Sequence, residues 1–251
     1  MVAKEVAANT DEIPKVLPSV LPNAMPKLST DTTVTLIDDG GLDTRILEVI
    51  AHHDLYTIGR FHTSDDYASL AWISIGPLLN EPGILPSIIS RMAAWLRRKA
   101  EEKSLQPKEI VLLGIDCWGA VLASQLSVIT GSPNFCLGAR GAGKYSTSHE
   151  AVSDSVCKRV AESKLVVLVS DVVATGRTMA WVHEQLITKI KSSPIWWALC
   201  IIADRAQDRS RHLSFLEDFG VACGNLRMPI VSTDAIPDER ILPTRLSFAH
   251  G

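Results

Sequence analysis

The chain has 251 residues, of which 46% are hydrophobic and 21% charged, with a formal net charge of -3 and a pI near 6.2. This composition predicts a globular protein with a full core, and its charge provides no electrostatic basis for binding nucleic acid or an anionic membrane surface. The sequence has no run of about 18 apolar residues and no basic-then-apolar secretion signal, so we expect a cytoplasmic protein without a membrane partner.

Residues 1–32 are predicted to form a proline-rich extended arm. Four prolines recur at every fourth position, Pro14, Pro18, Pro22 and Pro26. Proline at this density excludes a regular helix. Two interpretations stay open for the arm: a strap that packs on its own subunit, on a dimer mate or on another protein, and a disordered tail.

Residues 33–104 are assigned to an N-terminal subdomain. Apolar spacing predicts a strand at 33–37, a helix at 43–50 and a longer amphipathic helix at 86–103, around an aromatic segment at 56–72. From residue 105 to residue 251, strands and helices alternate, which predicts an α/β domain with a doubly wound, mostly parallel sheet. The predicted strands are 110–114, 134–137, 165–169, 194–203 and 221–226, and the predicted helices are 120–130, 179–186 and 210–219.

The five cysteines are scattered and have neither Cys-x-x-Cys nor zinc-ligand spacing. We interpret them as buried thiols of a cytosolic protein. They are Cys117, Cys136, Cys157, Cys200 and Cys223.

Residues 138–145 come close to the P-loop of nucleoside-triphosphate-binding proteins. The segment follows a predicted strand and reads Gly-Ala-Arg-Gly-Ala-Gly-Lys-Tyr. The P-loop needs Ser or Thr directly after its lysine to bind Mg²⁺, whereas Tyr145 follows Lys144 and Ser146 comes one position later. The sequence therefore argues against a P-loop, and a solvated surface loop stays as the simplest alternative.

The most informative motif joins the strand at 165–169 to the helix at 179–186. It reads Ser170-Asp171-Val172-Val173-Ala174-Thr175-Gly176-Arg177-Thr178. A turn of small residues at the carboxyl end of a strand offers backbone N–H groups and the positive end of a helix dipole to a phosphate. Thr175 and Thr178 add hydroxyls, and Gly176 permits a positive φ. The alternative is an ordinary strand–turn–helix unit.

This motif resembles the phosphoribosyl-pyrophosphate (PRPP) signature of the type I phosphoribosyltransferases. The resemblance implies that Ala174, Thr175, Gly176, Arg177 and Thr178 hold the 5′-phosphate, while Ser170 and Asp171 occupy the ribose-binding positions. The family usually has two adjacent acids there. Because Ser170 replaces the first of them, we expect weaker PRPP binding than in relatives.

Other parts of the site follow from the same resemblance. Asp116, Cys117, Trp118 and Gly119 correspond to the loop that binds pyrophosphate, although Trp118 also fits a core aromatic residue. The segment at 138–149 corresponds to a mobile catalytic loop, in which Arg140, Lys144 and also His149 are the candidate cations, with Asp171 as the third catalytic residue. Asp204 and Arg205 lie near the base or, alternatively, form a salt-bridged strand end. Mg²⁺ is expected to bind mainly through the ligand.

The aromatic segment at 56–72 and the helix after it loosely resemble the N-terminal hood of the orotate-type branch. We therefore expect a type I phosphoribosyltransferase fold with this hood, a homodimer, and transfer of phosphoribose from PRPP to a nitrogenous base. The acceptor base is left open. The alternative, favoured by Ser170 and the proline arm, is a catalytically diverged regulator or accessory effector in a larger assembly of the toxin or defence type.

Overall fold

The computed structural model describes residues 34–36, 45–46, 48–50, 55–62, 67–137, 152–204, 212–226, 230–232 and 244–245. The predicted proline arm, the glycine-rich loop with Arg140, Lys144 and His149, and Arg205 lie outside the described residues. Within the described residues no helix is long and apolar enough to cross a membrane.

A six-stranded, wholly parallel sheet forms the centre of the molecule. Its strand order is β1-β8-β7-β6-β4-β5. These strands are β1 (Val34–Leu36), β4 (Ile110–Ile115), β5 (Asn134–Leu137), β6 (Leu165–Val173), β7 (Ile195–Asp204) and β8 (Asp218–Leu226). The predicted α/β architecture with a doubly wound parallel sheet is confirmed.

Helices cover both faces of this sheet. One face packs against α1 (Ile75–Asn80), α2 (Ile84–Glu102) and α3 (Asp116–Thr130), and the other against α4 (Asp154–Glu162) and α5 (Arg177–Ile187). The central strands are apolar nearly throughout because side chains of both orientations are buried, as in most parallel sheets. Trp197 of β7 packs edge-on against Trp95 of α2, with ring centroids 5.7 Å apart.

A second, antiparallel sheet is formed by strands from near both ends of the described chain. It contains β2 (Tyr56–His62), β3 (Tyr67–Ile73), β9 (Ile230–Ser232) and β10 (Thr244–Arg245) in the order β10-β2-β3-β9. β1, by contrast, pairs with β8 in the main sheet. The sequence division at residue 104 therefore does not coincide with the division between the two sheets.

Several predicted elements differ from the observed ones. Helix α3 begins at Asp116 rather than at residue 120, and α4 has no counterpart among the predictions. The predicted helix at 210–219 is wrong over most of its described length, because only residues 212–213 are helical, 214–217 form a turn, and Asp218 and Phe219 pair with Trp197 and Ala198 in the sheet. Pairing with β7 and burial of Phe219 outweigh the helical spacing of this segment.

The interpretation of the cysteines as buried thiols holds only in part. Cys200 and Cys223 are buried and Cys157 is half-buried, whereas Cys117 and Cys136 are exposed. Both exposed cysteines lie on elements at the β5 edge of the sheet, which leaves their side chains uncovered in a single copy of the chain.

Candidate functional site

Two strand–turn–helix units meet at the carboxyl end of the parallel sheet. β4 leads into α3 and the neighbouring β6 leads into α5, so both helices begin at this edge. Gly114 of β4 pairs with Val169 of β6. Asp116 and Asp171, each two residues further along, are therefore brought close to each other. In open α/β sheets this edge is the usual place for a ligand.

The turn between β4 and α3 is pressed against β6. A Cβ atom on Gly119 would lie 2.4 Å from the carbonyl oxygen of Val169, and one on Gly114 would lie 2.6 Å from the Cα of Ala120. No larger residue fits either position without a shift of backbone. Asp116, at the start of this turn, has a φ of 63°, which is uncommon for a residue other than glycine and recurs at binding sites.

The two side chains between Asp116 and Gly119 differ in their surroundings. Cys117 is exposed, whereas Trp118 is half-buried against the core and its ring covers Gly76 of α1, where a Cβ would lie 3.1 Å from the ring. Trp118 therefore closes one side of the turn by packing on α1. This placement accounts for the aromatic residue without a ligand.

Asp171 is held by its own strand. Its Oδ1 accepts a hydrogen bond from the backbone N–H of Val172 at 2.7 Å and a longer one from the Ser170 hydroxyl at 3.4 Å. Burial raises the pKa of the Asp171 carboxyl, and these hydrogen bonds oppose the rise. Ser170, only 6% exposed, thus contributes a donor to Asp171 where a second carboxylate would add a negative charge.

Asp116 has the larger electrostatic perturbation of the two acids. Solvent reaches the residue, yet partial enclosure of its carboxyl raises the pKa to about 6, and the negative charge of Asp171 adds to the rise. The two carboxylates therefore repel each other above this pH. A bound cation, or a proton on Asp116, relieves that repulsion.

We expect Asp116 to make stability depend on pH. A carboxyl whose folded pKa lies above its unfolded value stabilises the fold at acid pH, and this contribution is lost as the pH rises from about 4 through 6. Asp116→Asn removes the titration, so its melting temperature relative to wild type should rise over this interval. Asp171→Asn removes a negative charge that raises the pKa of Asp116, so in this variant the loss of stability should occur at lower pH. A constant difference between wild type and Asp116→Asn from pH 4 to pH 8 would contradict the coupling.

The turn between β6 and α5 has the predicted strand–turn–helix backbone. Gly176 has a φ of 77° and caps α5, an eleven-residue helix that begins at Arg177. The Arg177 N–H donates to Thr175 Oγ1 at 3.3 Å, which fixes the turn locally. Thr175 and Thr178 are both half-buried rather than part of the core.

Gly176 is also needed for packing. A Cβ atom there would lie 2.6 Å from the side chain of Leu213, a buried residue shortly before β8. The first N–H groups of a helix have no partner within the helix, so α5 directs backbone N–H groups and a positive dipole end to this edge. The turn therefore offers a site for one anion beside Asp171.

The remaining predicted residues are placed only in part. Asp204 ends β7, the neighbour of β6, one residue beyond the pair Val173 and Ala203, so its backbone lies at the same edge of the sheet. Arg205, Arg140 and Lys144 lie outside the described residues. Sequence reasoning overlooked Gly114 and Leu213, which shape the two turns. A glycine at the end of an apolar strand is a sequence signal that could have indicated the close packing at Gly114. No sequence signal indicates the contact of Leu213 with the turn at Gly176.

Metal ligands are sparse at this site. The described part of the chain has no group of three or more His, Cys, Asp or Glu side chains that could hold a metal ion. Mg²⁺ commonly binds through one or two carboxylates together with substrate phosphates and water. Asp116 and Asp171 fit that kind of coordination, with the rest of the ligands supplied by a phosphorylated substrate.

The parallel sheet with helices on both faces has the type I phosphoribosyltransferase fold. UMP synthase of Leishmania donovani superposes with a TM-score of 0.50 and 18% identity, over 74% of this chain and 37% of that protein's length. Orotate phosphoribosyltransferase of Aeropyrum pernix has 19% identity over 72% of this chain and 93% of that one, with a TM-score of 0.49.

Adenine phosphoribosyltransferase of Trypanosoma brucei, solved with AMP, pyrophosphate and ribose-5-phosphate, has 17% identity over 82% of this chain and 85% of that one, with a TM-score of 0.48. The sequence matches no protein-family model. It has no significant match among curated proteins either. The chain thus has the predicted fold with a strongly diverged sequence.

Proposed function

We propose that this protein binds PRPP and transfers its phosphoribosyl group to a nitrogenous base, with release of pyrophosphate. The observation that carries this proposal is the turn between β6 and α5. Its positive-φ Gly176 opens an eleven-residue helix directly after Asp171, at the edge where Asp116 also lies. This arrangement brings a turn that can bind a phosphate and two carboxylates to the same end of the sheet, as a phosphorylated sugar requires.

In this proposal the 5′-phosphate sits over Ala174–Thr178, and the pyrophosphate sits over the turn at Asp116–Gly119. Backbone N–H groups and two helix N-termini supply positive potential to both anions. The ribose hydroxyls donate to the Asp171 carboxylate. Ser170 orients that carboxylate through its hydroxyl but supplies no second charge, which is the reason to expect weaker binding than a pair of acids would give.

The reaction breaks the bond between ribose C1 and the pyrophosphate oxygen and forms a bond from C1 to a nitrogen of the base. The leaving pyrophosphate takes the electron pair, and the nitrogen proton is released. The protein's task is positioning and charge stabilisation, since positive charge develops on the ribose and negative charge on the leaving group. Mg²⁺, when bound beside Asp171 and Asp116, would neutralise part of the pyrophosphate charge. Arg140 and Lys144 are proposed to contact the same group.

Further parts of the proposal concern partners and location. A homodimer in the cytoplasm is expected, and the proline arm at 1–32 is the candidate contact to a further protein. The second candidate function is that of an accessory protein which binds PRPP or a nucleotide 5′-phosphate without transfer, within a toxin or defence-type assembly. The observation in its favour is that buried Ser170 leaves a single acid at the ribose position.

The direct test is pyrophosphate release from PRPP and Mg²⁺ when the protein is offered a panel of purine and pyrimidine bases. Release that depends on one base, with formation of the corresponding nucleotide, supports the transferase. PRPP binding measured by calorimetry, without pyrophosphate release in the presence of any of the bases, supports the accessory function. Absence of both binding and release, in protein shown to be folded, would refute the proposal.

Asp171→Asn is expected to weaken PRPP binding by about ten- to a hundredfold. The substitution removes a charged acceptor of ribose hydroxyls, and hydrogen bonds to charged groups contribute about 1.5–3 kcal/mol. Titration calorimetry with PRPP and Mg²⁺ measures the change. The matched control is Glu162→Gln, an equal loss of charge at an exposed position of α4 just before β6 begins, at the opposite edge of the sheet. Equal PRPP affinity in Asp171→Asn and the control would show that Asp171 does not contribute to PRPP binding.

A further inference from the structure

We propose that a cavity at the amino end of the parallel strands binds a free α-amino acid with an aliphatic side chain. The cavity has a volume of about 230 Å³ and lies between the last turns of α2 and α3 and the start of β4. The two turns of the proposed PRPP site lie at the opposite, carboxyl end of the sheet. The inference therefore does not rest on the proposed function, and its test needs neither PRPP nor a base.

The inner wall of the cavity is apolar. Leu96 and Ala100 of α2 and Ile110 of β4 line it and are each 6% exposed or less, and the half-buried Leu105 also lines it. At about 30 Å³ for each molecule, the cavity has room for about eight waters. Pockets for drug-sized ligands usually have about 300–1,000 Å³. The cavity is therefore suited to a smaller ligand that places a branched aliphatic group against this wall.

Opposite charges stand at the mouth of the cavity. Arg97 and Glu101 both line it and are exposed, and their spacing of four residues places them one turn apart on the same face of α2. Arginine before glutamate is the less favourable order for pairing along a helix. The Arg97 guanidinium instead donates to the backbone carbonyl of Ile129 in the last turn of α3. This bond uses one of its five N–H donors, so the others can bind an anion.

The Glu101 carboxylate is suited to bind a cation. The lysines on either side of it in the sequence pair with other acids, Lys99 with Asp218 at 2.9 Å and Lys103 with Glu217. Both α2 and α3 end at the cavity, so the partial negative charge of two helix C-termini adds to that of the carboxylate. This part of the cavity therefore favours an ammonium group, whereas the guanidinium favours a carboxylate.

Ser132 adds a buried hydroxyl to the wall of the cavity. It lines the cavity just after the end of α3 and is only 1% exposed. Its backbone N–H donates to Thr130 Oγ1 at 3.3 Å, but its own Oγ has no hydrogen-bond partner among the described residues. A buried hydroxyl without a partner costs free energy, so a ligand that hydrogen-bonds to it gains affinity.

A zwitterion with an apolar side chain matches these features together. The ammonium and carboxylate groups of an α-amino acid are attached to one carbon atom, which suits an acid and a guanidinium that lie one helical turn apart. The aliphatic side chain then covers the apolar wall of the cavity. A charged side chain would instead be placed against that wall without a partner, which is unfavourable.

The first test is a ligand-observed NMR titration with L-leucine as the probe. Saturable binding is expected, with a Kd below about 1 mM. Isocaproate, which lacks the ammonium group, and isoamylamine, which lacks the carboxylate, should each bind at least about tenfold more weakly, as should L-aspartate and L-lysine. Equal binding of either analogue would overturn the assignment of a zwitterion. Absence of saturable L-leucine binding up to about 10 mM, in protein shown to be folded, would overturn the proposal.

The second test locates the site with charge-removing variants. Arg97→Gln and Glu101→Gln should each weaken L-leucine binding by about ten- to a hundredfold, since each removes a charged hydrogen-bonding partner. The matched controls are Arg98→Gln and Glu102→Gln, at exposed neighbouring positions of α2 that do not line the cavity, and they should keep wild-type affinity. Equal effects in a variant and its control would overturn this choice of site.

Ser132→Ala tests the buried hydroxyl separately. The variant should bind L-leucine about two- to tenfold more weakly, because one hydrogen bond to the ligand is lost. The melting temperature of the unliganded variant should stay equal or rise, since the substitution removes a buried polar group without a partner among the described residues. Unchanged L-leucine affinity in this variant would overturn the assignment of Ser132 to the site.

Discussion

Gly119→Ala is expected to destabilise the folded chain by about 3 kcal/mol, near the upper end of the usual cost of overpacking. The added methyl group would lie 2.4 Å from the Val169 carbonyl oxygen and 3.3 Å from the Ser170 Cα, so backbone atoms of β6 or α3 must move apart. Urea unfolding monitored by circular dichroism measures the loss as a lower midpoint at an unchanged m-value.

Gly131→Ala is the control for this substitution. Gly131 has a φ of 76°, and its added Cβ would meet only the Pro107 side chain, at 3.8 Å. Its cost is therefore limited to backbone strain, about 1 kcal/mol. Similar losses of unfolding free energy in the two variants would mean that the turn between β4 and α3 packs less tightly against β6 than described. A larger loss of stability in Gly119→Ala than in Gly131→Ala, accompanied by weaker pyrophosphate binding, would link this packing to the site.

The second large effect concerns catalysis. Replacing Arg140 or Lys144 with alanine is expected to lower kcat by about 10²–10³, the usual cost of losing one preorganised electrostatic donor. The proposed contact to pyrophosphate strengthens as the group leaves, so the loss should appear in kcat while PRPP affinity changes little. Stopped assays of pyrophosphate release and calorimetry separate the two quantities.

Lys108→Ala is a suitable control for these variants. Lys108 is an exposed cation beside the start of β4, at the amino end of the parallel strands, whereas the two turns lie at their carboxyl end. It should leave kcat unchanged. A kcat that is unchanged by alanine replacement of Arg140 and of Lys144 would contradict their catalytic role. If neither variant nor wild type releases pyrophosphate while all bind PRPP, the accessory function becomes the better account.

The turn between β6 and α5 could be predicted from the sequence because its determinants are contiguous. A run of apolar residues indicates the buried strand, the helical spacing begins directly afterwards, and Gly176 marks the single position that needs a positive φ. The signature from Ser170 to Thr178 is read along one stretch of chain. No distant residue is needed to recognise it, although Leu213 is needed to explain why glycine alone fits at position 176.

The β4 to α3 turn shows the limit of this reasoning. Its sequence indicates a strand and a helix, but the start of the helix at Asp116 depends on how closely the turn approaches β6. The raised pKa of Asp116 comes first from the burial of its carboxyl in the folded chain and then from the charge of Asp171, 55 positions away in the sequence. Strand order brings the two acids together, and strand order is a property of the assembled sheet.

The sequence by itself determined the class of fold, the turn between β6 and α5 and the position of Asp171, because apolar periodicity and turn chemistry act between near neighbours in the chain. Tertiary structure alone decided the pairing of Asp116 with Asp171, the need for glycine at positions 114 and 119, and the cavity between the ends of α2 and α3. These features depend on which strands are adjacent and which helix ends meet. Both are set by packing across the whole sheet.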